Sequence, residues 1–240
     1  MLRASDFFDL DQFQHAALFD GTEYVWDGLK QLKSYIKSLF PSGTRDIRGE
    51  VSPRAELYGD DIYIGEGTVI EGGATIHGPT WIGAKCEVRQ GAYVRGNVLV
   101  GDRCVLGHAS EFKGSVMLNG AKAPHFAYVG DSILGANSNI GAGTKLSNLT
   151  VVSVKDKATG KRPSIVLTID GQTYDTGLAK MGAILGDNAQ TGCNSVANPG
   201  SLIGPRTLVY ANMSIPKGYF PADSMVKLRQ TVEIAERRRS

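Results

Sequence analysis

Aliphatic residues recur every sixth position from Ile64 to Leu118: Ile64, Ile70, Ile76, Ile82, Val88, Val94, Val100, Leu106, Phe112 and Leu118. A small residue stands two places before most of them, as Thr68, Ala74, Thr80, Cys86, Ala92, Cys104 and Ser110. Glycine follows several, as Gly65, Gly83, Gly101 and Gly107. A period of six fits neither an amphipathic helix nor one long strand, whose side-chain periods are about 3.6 and 2. It fits very short strands joined by tight corners, three of which close one coil of about 18 residues in a parallel β-helix. The aliphatic points into the prism, the small residue fits the crowded corner, and glycine supplies backbone angles that side chains resist.

The repeat resumes in two further registers. One runs Leu134, Ile140 and Leu146; the other runs Leu185, Thr191, Ala197, Ile203, Val209 and Ile215. The first break is "KAPHFAYVGD", residues 122–131. There the spacing predicts a loop that leaves the wall and carries His125. The second, residues 149–180, is longer; "TVVSVKD", "SIVLTIDG" and "QTYDTG" read as short strands of an extruded hairpin or loop.

The ends differ from the middle. Val25, Trp26, Leu29, Leu32, Ile36, Leu39 and Phe40 follow helical spacing, so residues 1–44 read as a helical N-terminal segment. The coil domain spans 45–222. Met225, Leu228, Val232 and Ile234 suggest a C-terminal helix over 223–240 that caps the open end of the stack. Thirty glycines in 240 residues are then regular punctuation rather than a mark of disorder.

A net charge of +2 gives no nucleic-acid footprint, and the basic "ERRRS" reads as a solvated helix end. No run of about 18 apolar residues suggests a membrane span. Acids among the first residues argue against a signal peptide. Three cysteines, Cys86, Cys104 and Cys193, fit a reducing compartment, so a cytoplasmic protein is expected. Cys86 and Cys104 lie one coil apart and read as small core residues.

Of the four histidines, His15 reads as structural or exposed, His77 as outward-facing, and His108 as a corner residue. His125 stands among bulky neighbours, Pro124, Phe126 and Tyr128, beside the register change. A neutral imidazole there can take a proton from an amine or hydroxyl nucleophile.

The stretches "RQGAYV", "GHASEFKGSVMLNGAKAPHFAYVGDSILGANSNIGAGT" and "LSN" closely resemble the acetyltransferase domain of the bifunctional glucosamine-1-phosphate N-acetyltransferase/UDP-N-acetylglucosamine pyrophosphorylase family. "GDNAQTGCNS", "ANPGSLIGP" and the long insertion resemble its archaeal form. The resemblance covers roughly residues 45–225. It implies a left-handed β-helix, acetyl-CoA as co-substrate with no metal needed, an amino-sugar phosphate acceptor and a homotrimer. His125 matches the general base. Arg89 and Lys113 match the cations for the sugar phosphate. Tyr128 and Asn139 match sugar and phosphate contacts, and Asn148 an asparagine near the amine and acetyl group. Ala142 and Ala211 match small residues along the coenzyme arm. Cys193 stands where bacterial members have a serine near the acetyl group. The family's further lysine falls in the divergent insertion, with Lys155 and Lys157 as candidates. Lys227 or Arg229 could meet the coenzyme phosphates. Residues 1–44 lack the Gly-rich loop of the family's nucleotidyltransferase domain, so the chain is not expected to make a nucleotide sugar by itself.

Three other readings compete. An acyltransferase acting on another amino sugar or nucleotide sugar would keep the same base. A non-catalytic β-helix could regulate or assemble a separate nucleotidyltransferase. A metal hydratase would need three histidines, for which His77, His108 and His125 could be nominated.

Overall fold

A computed structural model describes residues 2–41 and 43–229. The chain winds into a parallel β-helix with two nine-stranded faces and one eight-stranded face. Each strand pairs with the strand one coil further along. On the first face one ladder runs Ile64, Ile82, Val100, Met117, Leu134, Leu185 and Ile203. Second-face strands include Glu87–Val88, Val105–His108 and Lys122–His125; third-face strands include Tyr93–Val94, Glu111–Lys113 and Tyr128–Gly130.

The inward residues close one apolar core. Ile64, Ile76, Ile82, Val94, Leu106, Phe112, Val129 and Ile140 are fully buried, each contributing roughly 1.5–3 kcal/mol by burial. The small polar residues at the corners link coils. The buried Thr68 hydroxyl donates to the Gly83 carbonyl at 2.7 Å and accepts from the Cys86 amide at 2.9 Å. Ser110 accepts from the Ala127 amide at 3.0 Å. A methyl at these sites would leave a buried amide unsatisfied. Cys86 and Cys104 stack in successive coils as free thiols, with the Cys104 amide donating to the Cys86 sulfur at 3.3 Å.

The phase change lies elsewhere than the spacing predicts. After Phe112 the inward residue is Met117, paired with Val100, not Leu118. The next inward residues are Ala123, Val129 and Leu134. The short steps are therefore Phe112 to Met117 and Val129 to Leu134, both where the chain turns from the third face to the first. The six-residue count lands one place late on Leu118, which is buried on the outside of the wall. Residues 122–125 consequently form a wall strand, paired with Val105–His108, rather than a departing loop.

Leu118 belongs to a second apolar layer. Leu99, Val116, Ile133, Ile184 and Leu202 point outward from the first face and are fully buried. The N-terminal segment covers them. It is only partly helical: two short 3-10 turns, Ala4–Asp6 and Ala16–Phe19, precede α1, Asp27–Ser38. Leu32 and Ile36 of α1 pack into this layer. Asp27 in the first turn accepts the Tyr24 amide at 2.9 Å, favourable at a helix start.

The insertion contributes one antiparallel hairpin, Val166–Ile169 with Gln172–Asp175. Its Leu167 and Ile169 join the same outer layer. "TVVSVKD" forms no strand, and Val151 and Val152 are exposed. At the other end Met225–Val226 pairs with Leu208–Val209 as a further coil strand where a helix was expected to begin. The rest of that expected helix, 230–240, lies outside the described residues.

Candidate active site

One corner of the prism, between the second and third faces, carries a column of residues stacked coil on coil. Each coil's carbonyl accepts an amide from the next. Phe126 N–H donates to His108 at 2.9 Å, Gly143 N–H to His125 at 3.0 Å, Asn194 N–H to Ala142 at 2.8 Å, and Asn212 N–H to Cys193 at 2.8 Å. His108, His125, Ala142, Cys193 and Ala211 therefore occupy one line, about 4.8 Å apart per coil. Four residues singled out by sequence, His125, Ala142, Cys193 and Ala211, fall on that line.

The imidazole of His125 is exposed and makes no hydrogen bond among the described residues. Its neighbour His108 is tied down: Nδ1–H donates to the Gln90 carbonyl at 2.7 Å, and the ring meets Phe126 edge-on at 5.3 Å. Two features set the His125 backbone. A Cβ on Gly107 would come within 1.9 Å of the Pro124 carbonyl carbon, so only glycine lets the coils close there. Phe126 has φ 51°, a left-handed conformation that costs a bulky side chain of order 1–3 kcal/mol.

The third face carries a polar cluster at its opposite edge, where it meets the first face. Lys113 Nζ lies 2.9 and 3.1 Å from the two Asp131 oxygens. The Asn148 amide donates to Asp131 and also reaches the Tyr128 hydroxyl. Burial, then the nearby Glu111 and Asp131 charges, raises the Tyr128 pKa, so the phenol stays protonated as a donor. Lys113, Tyr128 and Asn148 are thus brought together.

Arg89 and Asn139 are not brought to this cluster. Arg89 follows the second-face strand Glu87–Val88 and pairs with Glu87 at 2.8 Å. Asn139 stands on the second face between Lys122 and Gln190. The arginine that the structure sets one coil from Lys113 is Arg95, held by Glu111 at 2.6 Å. Its signal was available: Arg95 precedes Lys113 by one 18-residue coil, at the same point of the repeat. Arg95 and Lys113 line a cleft of about 220 Å³ with Lys33 of α1, Asp131 and Lys180. Lys180 lines this cleft, whereas Lys155 and Lys157, the candidates in the insertion, are not among its lining residues. Lys227 lies over the Tyr210 ring at 5.7 Å, next to Ala211 in the corner column.

Among the described residues no group of three or more His, Cys, Asp or Glu side chains could hold a metal. His108 and His125 are adjacent, while His77 stacks on Tyr58 on the third face. No described helix is long and apolar enough to cross a membrane.

Comparison with known proteins gives this geometry a context. Residues 76–165 match the GMPPB C-terminal domain. Over 99 residues the chain is 39% identical to the bifunctional protein GlmU of Methanococcus maripaludis, covering 41% of this chain and 22% of that protein. Over 94 residues it is also 32% identical to a bifunctional sugar-1-phosphate nucleotidylyltransferase/acetyltransferase of Sulfurisphaera tokodaii, covering 39% of this chain and 21% of that one. The chain thus spans about a fifth of the length of these GlmU-type relatives. Among solved structures, Arabidopsis UDP-N-acetylglucosamine acyltransferase aligns with a TM-score of 0.41 and 14% identity, covering 74% of this chain and 69% of that one.

Proposed function

We propose that the chain is an N-acetyltransferase that moves acetyl from acetyl-CoA to the amine of an amino-sugar 1-phosphate, with glucosamine 1-phosphate the first acceptor to try. The observation that carries this reading is the corner column. It sets an unencumbered imidazole, His125, directly beneath Ala142, Cys193 and Ala211. Small residues along one line leave room for an extended pantetheine arm, and Lys227 beyond Ala211 offers a cation for the coenzyme's phosphates.

The chemistry follows from these groups. The acceptor lies across the third face over Tyr128, its phosphate toward Lys113. His125 takes a proton from the amine as nitrogen attacks the thioester carbonyl. The Ala142 amide, which donates to no group among the described residues, faces the same corner and can stabilise the oxyanion. Collapse breaks the carbon–sulfur bond, and the departing thiolate recovers the proton from the imidazolium. Atoms and charge balance with no further reactant. Asn139, on the neighbouring face, acts in this scheme only from an adjacent subunit of a homotrimer.

The test is acetyl-CoA turnover with glucosamine 1-phosphate, galactosamine 1-phosphate and free glucosamine, using wild type and His125→Ala. Wild type should consume acetyl-CoA with at least one acceptor, and the variant should be slower by about 10²–10⁴-fold with coenzyme affinity retained. Absence of turnover with all three would sink the assignment; an unimpaired variant would sink the base.

A further inference from the structure

The cleft beside Lys113 is closed by two parts of the chain that lie outside the repeat. Lys33 comes from α1, and Lys180 from the segment after the hairpin. Neither side chain makes a hydrogen bond or ion pair among the described residues. Their neighbours do: Lys30, one turn before Lys33, pairs with Asp27 at 2.7 Å. Both lysines sit on pinned backbone. The α1 residues Leu32 and Ile36 are buried against the first face. Lys180 precedes Met181, which is fully buried and whose amide donates to the Asn148 carbonyl at 3.0 Å. Asn148 in turn holds Asp131.

The charges around this cleft do not cancel. Lys33, Arg95, Lys113 and Lys180 face it, against Asp131 and the Glu111 that pairs with Arg95. Two positive charges are left over, both on lysines without partners among the described residues. Both lysines are exposed, and like charges lining one cleft repel. A phosphate monoester, which carries about two negative charges near neutral pH, matches that surplus. Leu29 and Leu178 make part of the wall apolar, which strengthens charge pairing inside relative to open water.

We propose that Lys33 and Lys180 complete a phosphate-monoester site, so that the N-terminal helix and the post-hairpin segment are parts of the acceptor pocket. The identity of the acceptor as a sugar phosphate rests on the acetyl-transfer reading; the anion site itself does not. Lys113 and Arg95 are fixed by their carboxylates and act as the floor. Lys33 and Lys180, unpaired among the described residues, are the cations that meet the ligand's charge.

The experiment compares wild type, Lys33→Met/Lys180→Met and Lys33→Arg/Lys180→Arg, each checked for an unchanged melting profile. Inorganic phosphate, glucosamine 1-phosphate and free glucosamine are titrated calorimetrically without coenzyme, and acetyl transfer is measured in parallel. Expected is a loss of about tenfold or more in affinity for both phosphate ligands in the Met variant, with free glucosamine unaffected and the Arg variant close to wild type. The acceptor KM should rise by a similar factor with little change in kcat. Equal phosphate affinity in wild type and the Met variant would overturn the site, even if wild type transfers acetyl. Lysine-dependent phosphate binding without any acetyl transfer would uphold the site and remove the proposed function instead.

Discussion

Lys113 and Asp131 are separated by eighteen residues yet form a direct ion pair of 2.9 Å at one corner of the prism. The carboxylate serves two groups at once, because Asn148 donates to its other oxygen. Both side chains are under one-third exposed, so the pair is less screened than a surface bridge. Asp131 also has φ 44°, a conformation that asparagine tolerates as well.

Asp131→Asn should therefore preserve the fold while releasing Lys113. Removing a negative charge makes the cleft more positive, so inorganic phosphate should bind as well or better. The oriented lysine and Asn148 are lost, however, and a charge-assisted hydrogen bond contributes roughly 1.5–3 kcal/mol. The expected outcome is a fall of about tenfold or more in kcat/KM for acetyl transfer with unimpaired phosphate binding. A proportional loss of both would show that Asp131 merely supports the fold.

Gly107 makes a second claim testable, that His125 is placed by the wall rather than by a loop. Its missing Cβ leaves room for the Pro124 backbone, and that backbone cannot swing aside as a flexible side chain would. Gly107→Ala should shift the Lys122–His125 strand, lowering stability by about 1–3 kcal/mol through overpacking. Acetyl transfer by the folded fraction should fall beyond that. Gly171→Ala, at a hairpin tip with nothing nearby but φ 77°, is the matched control for strain away from the site. If both variants transfer acetyl equally well when folded, the wall does not set the imidazole.

Much of this was legible in the sequence because inward side chains dominate a coil. The buried ladder Ile64, Ile82, Val100 appears as a strict period, and His125, Ala142, Cys193 and Ala211 carried family signals strong enough to name. Leu118 misled because it is apolar for a different reason: it lies under the N-terminal segment, and an outward buried residue looks like an inward one when only hydrophobicity is counted. The five-residue corners at Phe112–Met117 and Val129–Leu134 were hidden by that coincidence. The six-residue spacing alone does not separate Arg95 from Arg89, because both follow an inward valine, Val94 and Val88; the 18-residue coil, which puts Arg95 on the face of Lys113, does. Lys33 and Lys180 could not be found from spacing at all, since tertiary packing of α1 and the hairpin brings them to the cleft.

His15 provides the prediction that reaches furthest from the site. It is buried between Trp81 at 5.0 Å, Phe13 and Tyr35, and its Nδ1 meets the Tyr35 hydroxyl at 3.1 Å. Burial lowers its pKa from 6.5 to about 4, against a smaller opposing pull from Asp102. The folded state thus keeps the ring neutral where the unfolded chain has already bound a proton. Stability from this residue is complete above about pH 6.5 and is lost as pH falls toward about 4, by up to about 3 kcal/mol in all. Because His15 packs on the first face, the loss should appear as loosening of the N-terminal segment and exposure of Trp81. Urea midpoints and tryptophan emission measured from pH 7.5 to 4.5 should show a steeper decline for wild type than for His15→Phe, which keeps an aromatic ring but cannot be protonated. Parallel pH profiles would mean that His15 does not govern acid sensitivity. A steeper wild-type decline would in turn predict weaker acceptor binding at low pH, since α1 would carry Lys33 away from the cleft.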